Sequence, residues 1–208
     1  MLTKLKSKIQ ELMAGLARAL YEAGLRPNAV SGIGLVLGLL SGAAYWSAGL
    51  LCVDVDLYRA CLALATLSLS LSGLCDALDG VMARLCGEVT AFGGLLDSIA
   101  DRYVESMVLL GIIVGGLCAP LWGLLALTGS LLTSYVRARA EAMDIAMESV
   151  GFFERAERLL ILLAFSVVEI TWPRSSALEL GIVVLAVASN LTVLQRVLYL
   201  YERARRAK

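Results

Sequence analysis

The chain has 208 residues, 59% of them hydrophobic, and its 18 basic side chains balance its 18 acidic ones. A soluble domain is usually about 45–50% apolar, and the excess here is grouped in long blocks that indicate membrane spans rather than one large soluble core. No polar linker points to a second domain, and five cysteines without CxxC spacing or any histidine exclude the common zinc sites.

The N-terminal segment is the first predicted element. Its apolar residues recur at helical spacing, and they are Leu2, Leu5, Ile9, Leu12, Met13, Leu16 and Leu20. This pattern predicts an amphipathic helix lying in the membrane interface, not the continuous apolar stretch of a cleavable signal peptide. We therefore treat residues 1–26 as a juxtamembrane helix.

Six apolar blocks follow, most of them near the length that a helix needs to cross a bilayer. They cover roughly residues 29–51, 57–74, 92–119, 121–136, 159–172 and 178–199. The second helix is expected to continue to Arg84, and the short fifth one to begin earlier, near Phe152. The predicted fold class is all-α: an integral-membrane bundle of six transmembrane helices over residues 27–202, followed by a basic tail at 203–208.

Basic residues are segregated along the chain. Sixteen of the 18 Lys and Arg residues fall near the two termini and in the second-to-third and fourth-to-fifth regions, whereas Arg59 and Arg174 fall in the other connections. Cytosolic connections of membrane proteins carry the excess of Lys and Arg. The pattern therefore predicts a multi-pass cell-membrane protein with both termini in the cytosol.

Four aspartates lie close to the predicted cytosolic boundary. Asp76 and Asp79 are near the end of the second span, and Asp97 and Asp101 are near the start of the third. Spacings of three and four residues put each pair on one face of its helix, and the short connection makes the two helices antiparallel neighbours. Ionisable residues at membrane depth are costly and indicate a functional site, so we expect a cytosolic active site at which all four carboxylates converge.

Such a cluster of negative charge predicts bound cations. Four carboxylates in one pocket repel each other, and oxygen ligands suit Mg²⁺ or Mn²⁺. Two bridged metal ions are a common device for displacement at phosphorus. The alternative, in which the aspartates only pair with Arg84 and Arg102, leaves two carboxylates without a partner.

One motif joins the two acidic helices. It reads Asp76-x-x-Asp79-Gly80-x-x-Ala83-Arg84, eight residues, Gly93-x-x-x-Asp97-x-x-x-Asp101. The motif resembles the complete signature of the CDP-alcohol phosphotransferase family. Members of that family transfer a phosphatidyl-type group from a CDP-linked lipid to an alcohol and release CMP. The six-span layout and the amphipathic N-terminal helix extend the resemblance over nearly the whole chain.

The resemblance implies roles for these residues. Asp76, Asp79 and Asp97 would be metal ligands, and Asp101 would be the general base, also touching a metal. The CDP group would lie against Asp76, Gly80, Ala83, Arg84 and Thr90. The family commonly forms homodimers, and we expect the same of this chain.

A second stretch resembles the branch of the family whose acceptor is myo-inositol 1-phosphate. It comprises residues 134–141 and 153–158, together with Thr192-x-x-Gln195-Arg196 in the last helix. A phosphorylated acceptor needs an anion site, and arginine forks suit phosphate. The candidates for that site are Arg137, Arg155, Arg196, Arg158 and Arg139. The branch often carries Lys at the position of Arg137, and cytosolic charge bias alone accounts for some of these arginines.

Several alternatives stay open at this point. Glycerol 3-phosphate is the second candidate acceptor, and serine is weaker because a neutral acceptor does not call for three arginines. The lipid is a diacylglycerol or an archaeal ether lipid. A small membrane transporter would also place acids and arginines inside a bundle, but it needs no such motif and usually shows an internal repeat. The basic residues are explained without a nucleic acid partner.

Overall fold

The structure is a computed structural model that describes residues 2–51, 53–147, 150–151 and 153–206, with the side chains of residues 2–11, 51 and 206 left aside. Within those residues the chain is all-α. The helices are α1 Leu2–Glu22, α2 Pro27–Leu51, α3 Val55–Cys86, α4 Ala91–Val114, α5 Pro120–Glu141, α6 Arg155–Thr171 and α7 Ala177–Arg206.

These bounds agree with the predicted elements. Helix α3 runs past Arg84 to Cys86, as expected from the sequence. Helix α6 begins inside the polar connection, at Arg155, with Glu154 as its N-cap. Parts of the prediction fall outside the described residues, namely Phe152, Cys52 and the tail residues 207–208.

The turn between α3 and α4 is short, and capping residues fix the end of α3 and the start of α4. Gly87 ends α3 in the left-handed conformation, with φ of 68°, which glycine adopts without strain. Thr90 caps α4, since its Oγ1 accepts a hydrogen bond from the Gly93 N–H at 3.0 Å. Four residues, 87–90, therefore reverse the chain and make α3 and α4 antiparallel.

Two sets of helices pack closely and are joined to each other. Helix α2 packs against α3 and α4, while α7 packs against α5 and α6. Contacts of α4 with α5 and of α3 with α6 join the two sets, and α1 packs against α3. The common core includes the fully buried side chains of Tyr45, Leu62, Ile112 and Ile182.

Glycines bring α2 and α4 into direct backbone contact. A Cβ atom at Gly111 would lie 2.0 Å from the carbonyl oxygen of Gly42, and one at Gly49 would lie 1.8 Å from that of Gly115. No side chain fits at those distances. The close contact fixes α4, and with it Asp97 and Asp101, relative to α2.

The connections alternate between two ends of the bundle. At one end, Arg174 Nη2 donates to the Val53 carbonyl at 2.8 Å, and Glu179 accepts from the Ala119 N–H at 3.0 Å. The four aspartates lie at the other end. Three of the described helices are long and apolar enough to cross a membrane, Pro27–Leu50, Val55–Cys86 and Ala177–Arg205. The chain is therefore a helical membrane protein.

Candidate active site

Three of the four predicted aspartates meet at one point. Asp76 of α3 and Asp97 and Asp101 of α4 each offer a carboxylate oxygen, and these atoms all lie within 4.8 Å of one another. The antiparallel helices and the four-residue spacing on α4 produce this arrangement, as the sequence predicts. We call these three residues together with Asp79 the carboxylate centre.

Asp79 lies beside the other three and is held by α2. It is only 6% exposed, and its Oδ2 accepts a hydrogen bond from the Ser31 hydroxyl. All four aspartates line one small cavity of about 240 Å³. Ser31 was not predicted as a site residue, and a serine within an apolar helix gives little signal for one.

Arg155 contacts the carboxylate centre directly. Its Nη1 lies 2.5 Å from Asp76 Oδ2, and its Nη2 lies 2.6 Å from Asp101 Oδ1. Arg102 Nη1 lies 3.2 Å from the other oxygen of Asp101. The sequence placed Arg155 near an acceptor phosphate, and the structure brings it to the first turn of α6, next to the aspartates.

The donor set of this centre fits divalent cations. Its convergent atoms are carboxylate oxygens, which hard cations such as Mg²⁺ and Mn²⁺ prefer. Among the described residues, only Arg155 and Arg102 lie within ion-pair distance of these four carboxylates. The excess negative charge is what a bound cation would neutralise.

A groove of about 740 Å³ opens on one side of the centre, and we call it the nucleotide groove. Asp79 and Asp97 border it. The predicted nucleotide contacts line it, namely Gly80, Ala83, Arg84 and Thr90, and so do Asn28, Ser31, Glu88, Gly93 and Gly94. A Cβ atom at Gly80 would lie 3.4 Å from Arg84 Nη1, so the guanidinium group stands over the glycine. Asp76, the remaining predicted nucleotide contact, lines the carboxylate cavity.

A second polar pocket, of about 1140 Å³, opens between α4 and α5, and we call it the α4–α5 pocket. Asp97 and Asp101 border it, and Arg137 lines its α5 side, where its Nε also donates to Glu141 at 3.0 Å. Arg139 is exposed and lies outside the set of described residues that line this pocket.

The two remaining candidate arginines are buried, and their guanidinium groups bond to other groups of the protein. Arg196 donates from Nε to the Val150 carbonyl and from Nη1 to the Thr133 carbonyl, both at 2.8 Å. Arg158 is directed to Glu105, an acid that was not predicted as a site residue. The five arginines are therefore not brought to one point, and only Arg137 and Arg155 line cavities that the aspartates also line.

A further contact links α1 to the nucleotide groove. Arg26 Nη1 lies 2.7 Å from Glu88 Oε1, and the Tyr21 hydroxyl donates to the same oxygen at 2.8 Å. This hydrogen bond raises the pKa of the Tyr21 hydroxyl above its usual value. The juxtamembrane helix thus holds a residue that lines the groove, a connection that residue spacing alone does not indicate.

The chain resembles known proteins over nearly its whole length. A family model described as CDP-alcohol phosphatidyltransferase matches residues 25–194. The archaetidylinositol phosphate synthase of Pyrococcus horikoshii is 34% identical over 206 residues, which cover 99% of this chain and 98% of that protein. The crystal structure of Mycobacterium tuberculosis phosphatidylinositol phosphate synthase with CDP-DAG bound has a TM-score of 0.77 and 30% identity, covering 92% of this chain and 94% of that one. The same protein in complex with manganese and citrate has a TM-score of 0.76 and 30% identity, covering 91% and 88%.

Proposed function

The chain belongs to the CDP-alcohol phosphatidyltransferase family, and from that membership we propose that it transfers a phosphatidyl-type group from a CDP-linked lipid to myo-inositol 1-phosphate, releasing CMP. The group is archaeol phosphate or diacylglycerol phosphate, since similar proteins include synthases of both lipid types. A hydroxyl oxygen of the acceptor bonds to the lipid-bearing phosphorus, the bond from that phosphorus to CMP breaks, and the hydroxyl proton passes to a base.

The observation that carries the proposal is the place of the carboxylate centre between two cavities. Asp79 and Asp97 border the nucleotide groove, whereas Asp97 and Asp101 border the α4–α5 pocket. Displacement at phosphorus needs the attacking and leaving oxygens roughly in line. A groove with small residues and Arg84 suits a nucleotide diphosphate, and a pocket that holds Arg137 suits a phosphorylated alcohol.

We propose that Asp76, Asp79, Asp97 and Asp101 hold two divalent ions, Mg²⁺ or Mn²⁺. Convergent carboxylate oxygens support this assignment, and so does the similar mycobacterial enzyme in complex with manganese. When bound, such ions neutralise the carboxylates and stabilise negative charge on phosphate oxygens.

Asp101 is the general base in this proposal. A base must come within hydrogen-bond reach of the proton that it removes. The carboxylate of Asp101 borders the α4–α5 pocket, in which we place the acceptor alcohol, and it also belongs to the carboxylate centre. The hydroxyl group and the phosphorus that it attacks therefore meet beside the same side chain.

The acceptor's phosphate binds to Arg155, Arg137 and Arg196 in this proposal. Arg155 lies next to Asp101, and Arg137 lines the pocket. Arg196 uses two of its N–H groups to hold the Val150 and Thr133 carbonyls, and a guanidinium group has five N–H donors. Arg196 does not line the α4–α5 pocket, and its place in the site rests on the resemblance of residues 192–196 to the inositol-phosphate branch of the family.

We also propose six membrane spans, α2 to α7, with both termini and the carboxylate centre on the cytosolic side, and a homodimer. Alternation of the connections between two ends supports the span count. The strong bias of Lys and Arg to one side supports the orientation. The homodimer rests on the family resemblance, and light scattering of the purified protein in detergent tests it.

The activity is tested by following CMP release in detergent with Mg²⁺ or Mn²⁺ and a CDP-linked lipid, either CDP-archaeol or CDP-diacylglycerol. Inositol 1-phosphate, free inositol, glycerol 3-phosphate and serine are compared as acceptors. We expect release with inositol 1-phosphate alone. Release with glycerol 3-phosphate instead would keep the carboxylate centre and reject the acceptor. No release with any pair would reject the proposed function.

Matched arginine variants test the acceptor site. Arg137→Gln removes a charged donor that lines the pocket, and Arg139→Gln makes the same change two residues further along α5, outside it. A charge-assisted hydrogen bond contributes about 1.5–3 kcal/mol, so the KM for inositol 1-phosphate should rise about tenfold or more in the first variant. The second variant should keep the wild-type KM, and equal effects of the two changes would reject the site.

A further inference from the structure

Arg158, which is buried, and Glu105, which is half-buried, form an ion pair one helical turn away from the carboxylate centre. Arg158 Nε lies 2.8 Å from Glu105 Oε1, and Arg158 Nη2 lies 3.2 Å from Glu105 Oε2. Arg158 is only 5% exposed, and its Nη1 donates to the Phe153 carbonyl at 3.4 Å. Such a two-pronged contact between a guanidinium and a carboxylate fixes orientation as well as distance.

The pair is the second of two parallel contacts between α4 and α6. Asp101 and Glu105 are four residues apart on α4, and Arg155 and Arg158 are three apart on α6, so both sets lie on one face of their helix. Arg155 contacts Asp101 and Arg158 contacts Glu105. Helix α6 packs against α3 and α7, and its first turn reaches α4 through these two arginines.

The two contacts differ in their surroundings. Arg155 and Asp101 line the cavity of the carboxylate centre. Arg158 and Glu105 line a second cavity of about 550 Å³, which Arg155 also borders and whose other walls are largely apolar, including Leu69, Val108 and Leu162. A charge in such surroundings keeps its partner, because separating the pair leaves a buried ion without compensation. Arg158 therefore directs Nε and Nη2 to Glu105 and Nη1 to the Phe153 carbonyl.

We infer that Glu105 and Arg158 are positioning residues for the transfer to the phosphorylated acceptor, an inference that rests on the proposed function. Their contact fixes the first turn of α6 against α4, and that turn carries Arg155. Reactions of this kind are sensitive to misplacement, since an error of about 1 Å can reduce the rate about 100-fold. Loss of the pair moves Arg155, while the nucleotide groove between α2, α3 and α4 keeps its shape.

The test separates this role from a purely structural one. In Glu105→Gln, the kcat/KM for inositol 1-phosphate should fall about 10- to 100-fold, with a rise in its KM, while the KM for the CDP-lipid stays at the wild-type value. Arg158→Lys keeps the charge and should show a smaller rise. The control is Arg59→Gln, which breaks an exposed ion pair with Asp56 at the opposite end of the bundle.

A double variant addresses the case in which a single change prevents folding. Glu105→Leu with Arg158→Met replaces both charges by apolar groups, which buried ion pairs often tolerate without loss of stability. The rise in melting temperature that inositol 1-phosphate produces reports its binding without turnover. We expect this rise to shrink in the double variant, although its melting temperature without ligand is close to the wild-type value.

Each outcome decides the inference. A variant with a reduced melting temperature and unchanged acceptor KM shows that the pair only stabilises the fold. Equal rises of both KM values show a general disturbance, and that result also overturns the inference. Wild-type protein that releases no CMP with any acceptor overturns the proposed function, and the inference with it. If the wild type uses glycerol 3-phosphate, the same variants are measured with that acceptor.

Discussion

Gly80→Ala adds one methyl group to the wall of the nucleotide groove and tests the assignment of that groove directly. Gly80 lies in α3 beside Arg84. A Cβ atom there would lie 3.4 Å from Arg84 Nη1 and 3.7 Å from Nη2, and apart from the adjacent residues and the nearby helix backbone no described atom is nearer. The methyl group therefore fits the folded protein, but it takes space next to the guanidinium group at which we place the diphosphate.

The expected magnitude follows from the size of that group. Forcing an extra methyl into a close-fitting contact costs about 1–3 kcal/mol, which corresponds to about 5- to 150-fold in binding. Alanine in place of glycine inside a helix favours folding by roughly 0.5–1 kcal/mol. The KM for the CDP-lipid should therefore rise by this factor in the CMP-release assay, while the melting temperature does not fall and the acceptor KM is unchanged.

Gly32→Ala is the matched control for this experiment. Gly32 lies in α2 and is exposed, and a Cβ atom there meets nothing within 4 Å. This variant also replaces a glycine by alanine inside a membrane helix, but Gly32 is not among the residues that line the nucleotide groove. A wild-type KM for the CDP-lipid in Gly80→Ala would refute the placement of the diphosphate beside Gly80 and Arg84. If the KM for the CDP-lipid rises equally in both variants, the effect comes from helix packing in the membrane and not from the groove.

Three further predictions concern the centre and its support. Asp101→Asn should lower kcat about 10²- to 10⁴-fold, and a pre-steady-state measurement of CMP formation should show that the chemical step is slowed; normal chemistry would reject Asp101 as the base. Chelation with EDTA should abolish CMP release and added Mn²⁺ or Mg²⁺ should restore it, whereas activity that survives chelation would contradict a metal-dependent centre. Gly111→Ala should destabilise the protein by about 1–3 kcal/mol, because its Cβ would lie 2.0 Å from the Gly42 carbonyl oxygen; an unchanged thermal unfolding midpoint would show that α2 and α4 separate without cost.

The helices and the carboxylate centre could be predicted because they depend on local spacing. Apolar blocks, Thr90 and Gly87 define where α3 ends and α4 begins. Once that turn is short, helical geometry alone brings Asp76 close to Asp97 and Asp101. The predicted meeting of these carboxylates is therefore a consequence of sequence distance, and the structure contains it.

The partners of the arginines could not be predicted in the same way. Arg137, Arg139, Arg155 and Arg158 all lie in one cytosolic stretch, and their sequence context does not show which way each side chain is directed. That direction depends on how α5 and α6 are rotated against α4, α3 and α7, and such rotation is set by packing between distant segments. Glu105 could have been found, because it continues the four-residue series of Asp97 and Asp101 toward α6.

The contacts with α2 are also beyond the reach of spacing arguments. Ser31 bonds to Asp79 across two helices, and Gly42 meets Gly111 because both helices lack side chains at the crossing. Small residues are frequent in membrane helices and can face lipid, another protomer or a neighbouring helix. Only the arrangement of the whole bundle distinguishes these possibilities.

The distribution of charge around the carboxylate centre gives α4 a central part in the proposed reaction. Asp97 borders both cavities, Asp101 borders the α4–α5 pocket and contacts Arg155, and Glu105 holds Arg158 one turn further along. One face of a single helix therefore carries the groups proposed for the metal, the base and the positioning of α6. Because the glycine contacts fix α4 against α2, which helps to form the nucleotide groove, the lipid donor and the acceptor would be aligned by one rigid element rather than by separate loops.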